Sequence, residues 1–491
     1  MSKYILSIDA GTTGITIMLF DKEANIVKKE YAEFSQIYPK PGYVEHNPLE
    51  IWDTTKKLLN RIAEKYDNQI HSIGITNQRE TVVMWDKNTG KPIHNAIVWQ
   101  CKRTSEKCNE LINNNYSDLI KNKTGLPISS YFSATKIQWI IDNVSNAKEL
   151  IKKKSLLFGT IDTWLIWNLT NRQSHITDHT NASRTMIYNI NTFNWDDELL
   201  ELFNLDKSIL PEINHSTSFF GEMNLEMFSQ KIPITGLAGD QQAALFGQYG
   251  YNLNDTKCTY GTGCFILANT GTVKVDSNNG LLTTISCDKN GKPTYAIEGS
   301  VFIGGAVIQW LRDELKLIKN AQETEGIAEK LTGNDGVYIV PAFSGLGAPY
   351  WDMESKGIIT GLTRGTNASH IIRAALESIA FQVNDMIKCL NSDLKCQIKT
   401  LKVDGGATLN RFLMQFQSNI SNINVQKPNN IESTALGAAL LSGIGSKYWI
   451  DIDDLKKQKK DTVYLPKMND TSREKILQEW KQAVEKCLQS N

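Results

Sequence analysis

Tyr4-Ile-Leu-Ser-Ile-Asp-Ala-Gly-Thr-Thr-Gly14 is an apolar strand that ends in a turn of glycine and threonine, and a second strand and a polar turn follow by residue 25. Residues 257–271 repeat this order around Gly-Thr-Gly, and a third strand at 401–403 ends in Asp-Gly-Gly. Because glycine tolerates positive φ and has no side chain, such turns can direct backbone N–H groups and hydroxyls at an anion. The pattern predicts two half-molecules that face one nucleotide.

The rest of the chain indicates an α/β protein with two domains. Its 491 residues exceed the size of one hydrophobic core. Strands alternate with helices in both halves, and the apolar spacing predicts the following helices: 47–62, 304–317, 368–391, one after 410, and 471–488. We expect the domain boundary near 246–256, which gives domains 1–249 and 250–491.

Composition excludes several classes of protein. The formal net charge is zero and 41% of residues are hydrophobic, so broad electrostatic binding to nucleic acid or membranes is not expected. The eight cysteines are scattered without a C-x-x-C pair, which argues against disulfides and a zinc site. We find no apolar run of about 18 residues and no leader-like start. We therefore expect a cytoplasmic protein without a membrane span.

Two carboxylates are candidates for the chemistry. Asp240 follows an apolar strand that ends at Gly239, and a helix begins at once. A carboxylate held rigidly there could accept the proton of a hydroxyl that attacks phosphorus, although Asp240 could instead be only a helix N-cap. Asp9, beside the first glycine turn, could hold Mg²⁺ directly or through water; the alternative is an ordinary hairpin turn.

Arg79 and Glu80 come just after a buried strand. A donor fork beside an acceptor suits a small polyol, which needs both kinds of partner, whereas the alternative is a surface ion pair. Trp99 and Phe265 could cover the carbon face of such a ligand, or they could belong to the core.

Two long gapped patterns, Tyr131–Asn143 and Gly357–Glu377, resemble the FGGY family of carbohydrate kinases. Several segments further resemble the members of that family that phosphorylate glycerol, and the likeness runs nearly end to end. These segments are residues 36–46, 74–80, 95–100, 178–185, 238–247 and 259–265. The resemblance implies an α/β fold with two ribonuclease-H-like domains around a central ATP cleft, as in the actin, sugar-kinase and Hsp70 superfamily.

The resemblance also implies an activity: transfer of phosphate from ATP, with Mg²⁺, to glycerol, for glycerol catabolism and the supply of sn-glycerol 3-phosphate. It implies that domain 1–249 binds glycerol and carries the catalytic base, that domain 250–491 binds the nucleotide, and that the chain forms a homodimer or homotetramer. Glycerol contacts of the family fall on Arg79, Glu80, Trp99, Tyr131, Asp240, Gln241 and Phe265, with Asp240 as the base. Nucleotide contacts fall on Thr12, Thr13, Gly14, Thr262, Gly305, Gln309, Gly406 and Asn410. Asp9 matches the residue that organises Mg²⁺.

One departure from the family bears on the nucleotide. Thr16 stands where the first turn of the family usually has an arginine. Either another lysine or arginine reaches the phosphates, or Mg²⁺ and backbone amides suffice there. Two other functions stay open: a kinase for a larger sugar or polyol, and a non-enzymatic protein that clamps ATP. Arg79 and Glu80, together with Trp99 and Phe265, favour a three-carbon acceptor over a larger sugar. The presence of Asp240 and of the other acceptor residues argues against a protein without enzymatic activity.

Overall fold

A computed structural model describes residues 3–352, 354–457 and 461–489. In the first half, the strands are Tyr4–Ala10 (β1), Gly14–Phe20 (β2), Ile26–Glu33 (β3), Glu45–His46 (β4), Ile70–Asn77 (β5), Val83–Asp86 (β6), Ala96–Ile97 (β7), Leu156–Gly159 (β8), Ile176–Asp178 (β9), Tyr188–Asn189 (β10), Asn194–Trp195 (β11), Glu212–Asn214 (β12), Gly221–Met223 (β13) and Ile232–Gly239 (β14). The helices of this half are Pro48–Tyr66 (α1), Ser105–Asn113 (α2), Ser117–Thr124 (α3), Ala134–Asn143 (α4), Ala147–Lys152 (α5), Ile161–Leu169 (α6), His179–Ala182 (α7), Asp197–Leu202 (α8) and Asp240–Gly247 (α9).

In the second half, the strands are Thr256–Tyr260 (β15), Cys264–Gly271 (β16), Leu282–Cys287 (β17), Pro293–Val301 (β18), Tyr338–Val340 (β19), Ile358–Thr360 (β20), Thr400–Asp404 (β21), Asn424–Lys427 (β22) and Thr462–Tyr464 (β23). The helices are Ala306–Asp313 (α10), Glu323–Glu329 (α11), Ala368–Leu394 (α12), Arg411–Ser421 (α13), Ser433–Gly445 (α14), Asp453–Lys457 (α15) and Asp470–Gln489 (α16). The predicted helices therefore correspond to α1, α10, α12, α13 and α16, with differences of a few residues at their ends.

Each half is built around one mixed sheet, and the two sheets repeat the same plan. The first has the strand order β13-β14-β5-β1-β2-β3, and the second has the order β17-β18-β16-β15-β21-β22-β23. In the first sheet, the antiparallel meander β1, β2 and β3 is extended by the parallel strands β5 and β14. In the second, β15 and β16 form an antiparallel hairpin that continues through β18 to β17 on one side, and the parallel strands β21 and β22 extend it on the other. The sequence repeat around the two glycine turns thus corresponds to a structural repeat.

The first glycine turn joins β1 to β2, and the register of the sheet orders the side chains beside it. Asp9 pairs with Thr16, and Thr16 pairs with Tyr31 on β3. Directly paired residues on neighbouring strands point to the same face of a sheet. Position 16 therefore lies on the same face as the carboxylate of Asp9.

Helix α14 comes late in the chain, yet it packs on the first sheet. A Cβ atom on Gly74 of β5 would lie 2.0 Å from the carbonyl oxygen of Ala438, and one on Gly236 of β14 would lie 2.3 Å from the backbone nitrogen of Ser442. Only glycine allows this close approach of helix and strands. The sequence patterns do not predict α14, and its position ties the end of the second half to the core of the first.

Helices cover the apolar faces of both sheets. The face of α1 predicted to be buried, with Ile51, Leu58, Leu59 and Ile62, packs in the core of the first sheet. Helix α12, 27 residues long, packs in the core of the second. In the part of the chain that the structure describes, no helix has both the length and the apolar character needed to cross a bilayer.

Candidate active site

Asp240 lies where strand β14 passes directly into helix α9. One carboxylate oxygen, Oδ1, accepts the backbone N–H of Gln241 at 2.7 Å and lies 3.1 Å from Nε of Arg79. The side chain is 31% exposed, so the carboxylate is fixed at one oxygen and open at the other side. Gly239 occupies the cap position of α9. The alternative that Asp240 is only an N-cap is therefore not supported, and its geometry suits a general base.

Arg79 and Glu80 are both buried, so the alternative of a surface ion pair is wrong. They follow β5 after Gln78, and Glu80 has a φ of +63°. A non-glycine residue in this left-handed region costs conformational energy, and such strain clusters at functional sites. Nη1 and Nη2 of Arg79 lie 2.6 and 3.1 Å from the two carboxylate oxygens of Glu298.

Arg184 and Glu298 are functional candidates that sequence reasoning missed. Nε of Arg184 donates to Oε1 of Glu80 at 2.6 Å, and its Nη2 donates to Oε1 of Glu298 at 3.0 Å. Burial opposes the ionisation of Glu298, but the charges of Arg184 and Arg79 outweigh it and lower the pKa of Glu298 to about 2. We call Glu80, Arg184, Glu298, Arg79 and Asp240 the ion-pair network. The sequence signal that could have revealed Glu298 is a single charged residue among the apolar and small residues of β18.

Two predicted aromatic residues flank the network. The rings of Trp99 and Tyr131 meet edge to face with centroids 5.5 Å apart, and the guanidinium carbon of Arg184 lies 5.8 Å from the centre of the Tyr131 ring. Trp99 is only partly buried, so it is not a plain core residue. Its indole Nε1 donates to Oγ1 of Thr12 at 3.0 Å, which joins the predicted acceptor pocket to the first glycine turn.

The remaining predicted acceptor residues, Gln241 and Phe265, lie at the contact between the halves. Oε1 of Gln241 accepts from Nζ of Lys257 on β15 at 2.5 Å. Phe265 on β16 is partly buried, and the register of β16 with β18 puts it on the same face of the second sheet as Glu298. The structure thus brings Arg79, Glu80 and Asp240 into direct contact. Gln241 is held by Lys257 of the second sheet, and Phe265 belongs to that sheet.

A cavity of about 620 Å³ lies in the second half, beside the second glycine turn. Its lining includes the predicted nucleotide residues Thr262, Gly305, Gln309, Gly406 and Asn410. Gly405, at the end of β21, has a φ of +88°, and a Cβ there would lie 2.5 Å from the carbonyl oxygen of Tyr260. Glycine is required at this position, and it keeps the β21 turn against β15 at the wall of the cavity.

The other three predicted nucleotide residues form the first glycine turn, outside the lining of this cavity. Thr12 and Thr13 are partly or fully exposed, as phosphate ligands would need to be. Gly14 is buried, and a Cβ there would lie 2.6 Å from the carbonyl oxygen of Ala32. The close packing of β2 against β3 therefore accounts for this glycine.

Asp9 lies in a strongly negative setting that fits a divalent cation. Burial, followed by the charges of Asp240 and Glu432, raises the pKa of Asp9 to about 7, and Lys29 opposes the shift. Among the described residues, no group of three or more histidine, cysteine, aspartate or glutamate side chains is placed to hold a metal. The negative charge around Asp9 suits Mg²⁺, which would take its other ligands from phosphate and water.

Two lysines bear on the missing arginine at position 16. Lys29 lies on β3, close enough to Asp9 to act on its pKa, and forms an ion pair with Glu432. Lys257 is fully buried, where its Nζ donates to Gln241 and, at 2.8 Å, to Oγ1 of Thr259. Burial lowers the pKa of Lys257. Lys29 therefore brings a positive charge near Asp9 from another strand, whereas Lys257 lies beside Gln241.

Family models match almost the whole chain. The N-terminal domain of the FGGY family of carbohydrate kinases matches residues 4–247, and the C-terminal domain of that family matches residues 256–446. The chain belongs to the FGGY family of carbohydrate kinases. This membership confirms the predicted family and fold class.

Named relatives resemble this FGGY chain over their full lengths. A glycerol kinase from Clostridium botulinum (strain 657 / Type Ba4) is 54% identical over 493 residues, and glycerol kinase 2 from Thermotoga maritima is 52% identical over 490; each match covers 99% of both chains. The crystal structure of Plasmodium falciparum glycerol kinase with ADP has a TM-score of 0.93 at 42% identity, and the match covers 99% of both chains. All three of these relatives are named glycerol kinases.

Proposed function

We propose that this FGGY kinase transfers the γ-phosphoryl group of ATP to a terminal hydroxyl of glycerol, which yields sn-glycerol 3-phosphate and ADP. The observation that carries the proposal is the half-open carboxylate of Asp240, held 3.1 Å from Arg79 at the rim of a buried donor and acceptor pair. The names of the full-length relatives support glycerol as the acceptor.

Each part of the reaction has residues suited to it. The hydroxyl oxygen of glycerol attacks the γ-phosphorus, its proton passes to Asp240, and the bond from that phosphorus to the bridging oxygen breaks so that ADP leaves with the electron pair. Arg79 supplies donors and Glu80 supplies acceptors for the hydroxyl groups of glycerol. Trp99, Tyr131 and Phe265 provide apolar surface for its carbon atoms.

ATP is assigned to the cavity of about 620 Å³ in the second half, with its phosphates between the two glycine turns. The nucleotide residues proposed there are Thr12, Thr13, Gly14, Thr262, Gly305, Gln309, Gly406 and Asn410. Mg²⁺, which Asp9 would hold, spreads the charge of the transferring phosphoryl group when it is bound. We further propose domains 1–249 and 250–491, a cytoplasmic location in line with the scattered cysteines, and a homodimer or homotetramer.

A substrate panel tests this function. The purified chain with ATP and Mg²⁺ is offered glycerol, xylulose, gluconate and ribitol in a coupled assay of ADP release. We expect glycerol to have the highest kcat/KM by more than about tenfold, because a larger acceptor would need room beyond the closely paired groups of the pocket. A higher kcat/KM for any of the longer acceptors would refute the assignment of glycerol.

A further inference from the structure

Glu298 belongs to the second sheet, yet its carboxylate lies among side chains of the first half. Both of its oxygens contact Arg79, at 2.6 and 3.1 Å, and Oε1 also contacts Arg184 at 3.0 Å. These partners are 219 and 114 residues away in the chain. The pairing therefore joins the two halves at the proposed acceptor pocket, and the side chain of Glu298 is fully buried there.

Charges alternate along the ion-pair network. From Glu80 the contacts run through Arg184 and Glu298 to Arg79 and then to Asp240, at 2.6, 3.0, 2.6 and 3.1 Å. A guanidinium bound by both oxygens of one carboxylate is fixed in its plane as well as its position. The place of Glu298 thus determines how Arg79 is turned toward Asp240.

We propose that Glu298 is a positioning residue of the second half, which aims Arg79 at the acceptor and at Asp240. The pocket then acquires its reactive geometry only while the two halves are in contact. This inference rests on the proposed phosphorylation of glycerol, for which it supplies the link between domain contact and catalysis. Small displacements of such groups reduce reaction rates strongly, because the gain from orientation requires a near-attack geometry.

A second contact crosses the same interface. Lys257 of β15 donates to Oε1 of Gln241 at 2.5 Å, next to Asp240 in sequence. Two buried charged residues of the second half thus hold two proposed acceptor residues of the first. The arrangement gives a physical route to acceptor selection, because bulk water at about 55 M competes with glycerol unless the reactive geometry depends on a closed site.

The test is Glu298→Gln, which keeps the shape of the side chain and removes its charge. We expect kcat/KM for glycerol to fall about 10²-fold, with a higher glycerol KM and a lower kcat. Without the charge of Glu298, Arg79 is held much less firmly in its buried position. The affinity for ADP, measured by calorimetry, should stay within about threefold, since the nucleotide cavity is lined by other residues. Glu298→Asp keeps the charge but is one methylene group shorter, so its kcat/KM for glycerol should lie between those of wild type and Glu298→Gln.

Glu377→Gln is the matched control. Glu377 is another buried glutamate of the second half, and it pairs with Arg373 at 2.7 Å on α12. If it lowers kcat/KM for glycerol as much as Glu298→Gln does, the role of Glu298 is merely structural and the proposal fails. It also fails if folded Glu298→Gln keeps kcat/KM within about threefold of wild type, or if Glu298→Asp is no better than Glu298→Gln. If Glu298→Gln does not fold, Glu298→Asp is compared with wild type instead. A kcat/KM for glycerol equal to that of wild type would then overturn the proposal. Wild-type chain without activity on glycerol would instead refute the proposed function.

Discussion

Asp240→Asn is the substitution that separates binding from proton transfer. Oδ1 of Asp240 accepts from the backbone of Gln241 and faces Nε of Arg79, and an amide oxygen can keep both contacts. The amide nitrogen then takes the place of the open carboxylate oxygen, where it can hydrogen-bond to a hydroxyl but cannot accept its proton. Helix α9 should persist, because its cap position belongs to Gly239.

The expected loss is the general-base contribution, about 10²–10⁴-fold in kcat, or about 3–5 kcal/mol of barrier. The glycerol KM should change by less than about threefold, and the melting temperature and ADP affinity should match those of wild type. The assay is steady-state ADP release with glycerol and ATP varied in turn. A folded variant whose kcat stays within about threefold of wild type would refute the role of Asp240 as base.

Two further substitutions and one pH dependence probe neighbouring features. Arg79→Ala should lower kcat/KM for glycerol about 5- to 150-fold, the equivalent of about 1–3 kcal/mol for an acceptor left without its donor; unchanged glycerol saturation would contradict this. Thr16→Arg should lower the KM for ATP and leave the KM for glycerol unchanged, because position 16 shares a face with Asp9; an unchanged ATP curve would indicate that Lys29 already serves as the cation. Glu298 has a folded pKa of about 2 against an ordinary 4.5, so its stabilisation is present above about pH 4.5 and is lost as the pH falls toward 2. Between about pH 4.5 and 2, the free energy of unfolding, measured with a chemical denaturant, should therefore fall by about 3 kcal/mol more for wild type than for Glu298→Gln. If the two free energies change in parallel with pH, Glu298 makes no such contribution.

Local sequence patterns predict the parts of the fold whose signal is local. The strand, glycine turn and strand order predicts the meander of β1–β3 and the hairpin of β15–β16, and apolar spacing predicts α1 and α12. Helix α14 is not predicted because small and apolar residues lie on all of its sides, so its sequence has no amphipathic period. Its place in the fold is set by close packing against glycines of β5 and β14, which lie far away in the chain.

The same limit applies to the candidate site. Asp240 is predictable because a strand, a glycine and a helix start surround it in sequence. Arg79 and Glu80 are predictable as a donor and acceptor pair, but their burial is not. Glu298 contacts Arg79 across 219 residues, and no local pattern carries the information that a charge inside β18 will find its partners in the other half.

The most direct test of the account is the stoichiometry of the reaction. Purified chain is incubated with ATP, Mg²⁺ and glycerol, and ADP and glycerol phosphate are quantified together by ³¹P NMR. We expect ADP release that saturates with glycerol, one sn-glycerol 3-phosphate formed per ADP, and almost no ADP without glycerol. ADP release at the same rate with and without glycerol, with inorganic phosphate as the product, would contradict it.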